Sequence, residues 1–216
     1  MIQYELETVL KAGSSHKMND KPTKGEYLEI LLRSPRTVFS TKDAALLWAE
    51  ERQSLISDRL DNYVKAGKLL RVRRGFYAKD SNYNRLELAT RIYTPSYISF
   101  ETVLTSEGIN FQYYGNIFVA SYINREIQIA DQLITFVRMK EYVLRDTTGI
   151  SHTGGYAIAT KERALLDRLY VSKDYHFDNL DSLDWDKVFT ILPIYHSKRM
   201  NQKVDEYHRQ YQKDSN

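Results

Sequence analysis

Between Gly67 and Asp80 the chain reads GKLLRVRRGFYAKD, in which Lys68, Arg71, Arg73, Arg74 and Lys79 are cationic and no acid precedes Asp80. Cations this dense on a short apolar ribbon suit one chemistry above others: neutralising the phosphates of a polyanion and releasing its counterions. A second group lies just upstream. Arg52, Gln53, Ser54 and Ser57 carry donors and acceptors of the kinds that read base edges, and Arg59 is a further phosphate candidate. A merely solvated face also produces charge runs. Glu50 and Glu51 before the group, with Asp58 and Asp61 within it, would repel phosphate and restrict which residues face a groove.

Catalytic chemistry finds less support. Glu162, Arg163 and Asp167 sit at helical spacing, where an acid in the first turn and an Arg-Asp pair four apart stabilise a helix without any reaction. Gly154-Gly155 followed by Asp167 suggests a nucleotidyltransferase, but a metal pair needs a second carboxylate two residues on, and that position is Leu169. Glu126, Asp131 and Glu141 form no acid-x-lysine arrangement of the nuclease kind. The histidines, at 16, 152, 176, 196 and 208, have no H-E-x-x-H or other close ligand spacing, and cysteine is absent. The expectation is therefore a protein that is not an enzyme and holds no metal or cofactor.

The elements that must position the basic residues follow from periodicity. Tyr27, Leu28, Leu31 and Leu32 mark a helix over 23–32 that stops at Ser34-Pro35. Ser40 or Thr41 is an N-cap for a second helix with Ala44, Ala45, Leu47 and Trp48 as its stripe. Ile56, Leu60, Tyr63 and Val64 define a third, closed by Gly67. The ribbon then alternates, with Leu70, Val72, Phe76 and Tyr77 apolar and Arg71, Arg73 and Arg74 opposite them. Three short helices followed by a basic hairpin is the plan of a winged helix-turn-helix, whose second paired helix enters the major groove by its N-terminal residues.

Beyond it, Leu86, Leu88, Ala89 and Ile92 predict a helix before Thr94-Pro95, and residues 98–106 predict another capped by Ser99. NIFVASY and REIQIADQLITFVRM predict strands of a small antiparallel or mixed sheet. Thr160 caps a helix through ERALLDRLYV, and two closing helices follow over 185–192 and 196–211. The fold class is α+β: a winged helix-turn-helix over residues 1–82, then a mixed α/β domain over 83–216 with a small sheet and closing helices.

At 216 residues, 42% hydrophobic and 27% charged, the chain can bury one large core or two smaller ones. The net charge of +3 is unevenly held: residues 1–82 carry 15 Lys and Arg against 11 Asp and Glu, and residues 83–216 carry 16 against 17. The positive excess sits with the ribbon, as a polyanion partner requires. With acids in MIQYELETVLKAG, no basic-then-apolar leader and no long apolar run, the expected location is cytoplasmic, with no membrane partner.

RRGFYAK, then YISFETVLTSEGI, then a strand-rich stretch, then YAIATKERALLDRLY resembles, in order and spacing over residues 38–171, the AbiEi antitoxins of type IV toxin-antitoxin systems. Gly75, Phe76 and Tyr77, Ser99 with Glu101, Leu104 and Gly108, and the block from Ala159 to Leu169 carry the similarity. The resemblance implies a repressor that binds inverted repeats in its own promoter as double-stranded DNA. It implies a C-terminal domain that counteracts a co-transcribed AbiEii-type nucleotidyltransferase-like toxin, with or without a stable complex, in the setting of abortive phage resistance. The alternative is a ligand-responsive or dimeric winged-helix transcription factor without a toxin; 13 of the 17 tyrosines follow residue 82 and could line its pocket or interface.

Overall fold

Tyr27 and Leu31, one turn apart, give α1 (Glu26–Arg33) its buried stripe, and the chain turns extended at Ser34 ahead of Pro35. Val38–Ser40 forms β1, a strand too short for alternation to reveal. Ser40 then caps α2 (Thr41–Leu47) through a full capping box: its Oγ accepts from the Asp43 amide at 3.1 Å while Asp43 Oδ2 accepts from the Ser40 amide at 2.7 Å. Replacing Ser40 with alanine is expected to lower stability by about 0.5–2 kcal/mol, read as a shift of the urea midpoint. A third helix, α3 (Gln53–Lys65), ends where Gly67 takes φ +67°, a conformation that side chains with a Cβ resist. The hairpin β2 (Leu70–Arg73) and β3 (Phe76–Ala78) follows, and β3 lies between β1 and β2 in a three-stranded antiparallel sheet.

Tyr27, Leu31, Phe39, Trp48, Ile56 and Leu60 build the core beneath this sheet, with Leu69 and Tyr77 closing it. The apolar ribbon residues do not all behave as alternation predicts. Leu69 is buried, whereas Leu70 is 42% exposed. Further along, the strand bulges: Arg71 pairs with Tyr77 but Arg73 pairs with Phe76, so Val72 is an extra residue and the register slips by one beyond Arg71.

The structure, a computed structural model, describes residues 22–23, 25–172 and 174–214; the acids of MIQYELETVLKAG lie outside them. The chain divides into two compact units, one ending at Asn84 and the next beginning at Arg85.

The second unit starts with α4 (Arg85–Ile92) and β4 (Tyr97–Ile98), followed by α5 (Glu101–Ser106), β5 (Ile117–Ser121), β6 (Arg125–Ile129) and β7 (Gln132–Arg138). It continues with α6 (Glu141–Arg145), β8 (Ile150–Thr153), β9 (Tyr156–Ala159) and α7 (Lys161–Val171), and closes with α8 (Trp185–Ile191), a 3-10 turn and α9 (Lys198–Asp214). Its strands form one mixed sheet in the order β6-β7-β5-β4-β9-β8, with β5/β7 and β4/β9 parallel and the other neighbours antiparallel. Ile117 beside Ile134 and Val119 beside Phe136 put one face of β5 and β7 into the core.

Ser99 is not a helix cap as its position suggested. Tyr97–Ile98 is a strand, Phe100 is the N-cap residue at φ +56°, and the Ser99 hydroxyl turns inward to Asp167. Thr160 does cap α7, accepting from the Arg163 amide at 3.3 Å. The hairpin β8–β9 around Gly154-Gly155 went unanticipated, because most of its residues are polar or small. Among the described residues the fold is α+β, with nine α-helices and two sheets. None of those helices is long and apolar enough to cross a membrane.

Candidate nucleic-acid interface

Arg52 occupies the N-cap position of α3, and Gln53 and Ser54 in its first turn are exposed, with Ser57 half-buried one turn on. The helix leaves its first backbone N–H groups unsatisfied at this end, so donors cluster where these side chains emerge. Arg52 is not loose. Glu50, buried at 5% exposure by the turn that carries Ala49 at φ +48°, accepts from the Arg52 amide at 3.1 Å and from its Nε at 3.2 Å. A residue that charge alone made an obstacle is thus a support, and no local pattern announces that its carboxylate is buried.

The five cations of the ribbon and Arg59 divide in two. Lys68 and Arg74 are exposed, and Arg73 is half-buried with Nη1 shielded from solvent and lacking a hydrogen-bond partner among the described residues. Arg71 binds Asp61, whose carboxylate also accepts from the Tyr77 hydroxyl at 3.1 Å. The hydrogen bond from Arg71 holds the Asp61 carboxyl below its ordinary value, and burial, helped by Asp61, pushes the Tyr77 hydroxyl up. Arg71 therefore fastens β2 to α3. Lys79 Nζ donates to the carbonyls of Leu32 and Ser34, satisfying the C-terminal end of α1. Arg59 lies with its guanidinium carbon 3.5 Å from the centre of the Tyr27 ring and Nη1 buried. Three cations assigned to phosphate by type, Arg59, Arg71 and Lys79, thus have partners within the unit, although the Arg71 side chain stays 44% exposed; Lys68 and Arg74 are exposed beside the α3 end, and Arg73 is half-buried.

The acidic candidates of the second unit form a different kind of arrangement. Asp167, fully buried, accepts at Oδ1 from the hydroxyls of Tyr195 at 2.7 Å and Tyr97 at 3.1 Å and from Arg163 Nε at 3.3 Å, and at Oδ2 from Ser99 at 2.7 Å. Arg163, also fully buried, donates to the carbonyls of Val143 at 2.7 Å and Thr148 at 2.8 Å and to the Tyr97 oxygen at 3.2 Å. Burial pushes the Asp167 carboxyl up against the opposing pull of Arg163 and the hydroxyls, and it raises Tyr97 and Tyr195 well above the usual tyrosine range. Glu162 accepts from the Asp184 amide at 3.3 Å. Glu101, 2% exposed, accepts from Arg168 at 2.9 Å and from the Tyr175 hydroxyl at 3.1 Å, and burial with Glu101 raises that hydroxyl to about 12. Asp167 has both oxygens on protein donors, whereas Glu101 uses Oε1 and leaves Oε2 buried without a hydrogen-bond partner among the described residues; the bonds made tie α7 and α5 to β4 and the closing turns, as a structural network does.

Compared with known proteins, the chain matches no family profile and no curated sequence.

Proposed function

We propose that this chain is the antitoxin of a type IV toxin-antitoxin pair, with a winged helix-turn-helix that represses its own operon and a second unit that counteracts a co-transcribed nucleotidyltransferase-like toxin. The observation that carries the DNA-binding half is the element order α1-β1-α2-α3-β2-β3, in which an exposed α3 N-terminus bearing Arg52, Gln53 and Ser54 precedes a hairpin bearing Lys68, Arg73 and Arg74. A helix end with free donors suits a major groove, and a cationic hairpin suits the flanking phosphates. The antitoxin half rests on the resemblance across residues 38–171. In this reading the second unit is not an enzyme, in keeping with an Asp167 carboxylate already taken up by four donors.

Co-expression with the neighbouring gene tests both halves. If that gene arrests growth, this chain is expected to restore it and to lower expression from a reporter driven by the operon's promoter. Continued arrest with the chain abundant and folded excludes the antitoxin role, and an unrepressed reporter excludes autoregulation.

A further inference from the structure

A guanidinium has two hydrogen-bonding edges, and the neighbourhood of Arg52 uses only one. Its side edge, Nε with Nη2, faces the Glu50 carboxylate: Nε donates to Oε1 at 3.2 Å and Nη2 leans toward Oε2 at 3.5 Å. Its end edge, Nη1 with the second N–H of Nη2, makes no hydrogen bond to any described residue, and the side chain is 67% exposed while that of Glu50 is 4% exposed. The Arg52 amide also donates to Glu50 Oε1, so the carboxylate grips backbone and side chain together at the start of α3.

We infer that Arg52 reads a guanine in the major groove through this end edge, with Glu50 as the residue that positions it. The inference rests on the DNA-binding role proposed above and names the base that role would select. Two parallel donors match the O6 and N7 acceptors of guanine, and no other base offers two acceptors on its major-groove edge. A phosphate is the poorer partner here. Arg52 and Glu50 together are neutral, so the pair adds little to counterion release, and the fixed carboxylate opposes the approach of a phosphate. A base edge carries no net charge, and an arginine already held in one rotamer loses little side-chain entropy on meeting it. Exposed cations outside this pair, Lys68 and Arg74 of the ribbon among them, are left to supply the phosphate contacts.

The test uses the full chain and a randomised duplex library, followed by affinities for the selected duplex and its single-base variants across a salt series. Wild type is expected to select a fixed guanine in each half-site. Arg52→Lys, which keeps the charge beside Glu50, is expected to lose discrimination at that base pair by about tenfold or more while the slope of affinity against salt stays unchanged, and Arg52→Ala is expected to lose the same discrimination. Arg52→Lys keeps the charge and lacks the fork, so retention of wild-type selectivity by it overturns the inference. So does an equal loss on every duplex with a slope shallower by about one contact, which marks Arg52 as a phosphate ligand. Failure of the wild-type chain to bind any duplex overturns the DNA-binding role itself, and this inference with it.

Discussion

Replacing Asp167 with alanine is expected to destabilise the second unit by about 3–5 kcal/mol, because it strands the fully buried guanidinium of Arg163 without its counter-charge. The hydroxyls of Ser99, Tyr97 and Tyr195 lose their shared acceptor in the same step. Urea unfolding of the full chain followed by circular dichroism measures this. Removing both charges together, as in Arg163→Met with Asp167→Leu, is expected to cost less than the two single changes summed, since a buried ion pair is worth little over an apolar replacement while half of one is costly. A loss under about 1 kcal/mol for Asp167→Ala would show that the network is not what joins α7 to β4 and the closing 3-10 turn.

The corresponding weak point of the first unit is Trp48. Its ring is fully buried, its Nε1 donates to the Tyr27 carbonyl at 2.8 Å, and it stands edge-on to the Tyr27 ring with centroids 5.4 Å apart. The Arg59 guanidinium covers Tyr27 and lies 5.6 Å from the centre of the Trp48 ring as well. Truncating a buried aromatic to alanine costs about 3–5 kcal/mol, and a domain of this size is held by only several kcal/mol in all. Trp48→Ala is therefore expected to melt α1, α2 and α3 together and to abolish any binding by the unit, although Trp48 touches no proposed contact. Trp48→Phe, which keeps most of the apolar volume and loses one hydrogen bond, is expected to fall between. If the alanine variant keeps a wild-type unfolding midpoint, the core is not organised around this ring.

Much of the local structure was legible from side-chain type. Pro35 ended α1, Ser40 or Thr41 announced a cap that Ser40 supplies, Thr160 announced another, Gly67 announced a stop, and four-residue spacing of Ile56, Leu60 and Val64 announced α3. These signals are readable because each depends on a residue and its near neighbours in the chain. What failed to read depends on distant partners. β1 is three residues long and is a strand only because β3 lies beside it. Ser99 has the type of a cap, but Asp167, far away in the chain, takes its hydroxyl.

The candidate interface divides the same way. Residue types and their spacing alone identified a cationic hairpin behind three short helices, and this was enough to name a polyanion as the partner to expect, since net charge and periodicity are properties of the chain itself. Which cations face outward was decided only by the tertiary structure. Arg59 lies on Tyr27, Arg71 is paired with Asp61 and Lys79 closes α1, while Glu50, an acid that looked repulsive, is buried and holds Arg52. A charged side chain settles on whichever partner lets it shed water at least cost, and those partners are brought within reach by folding.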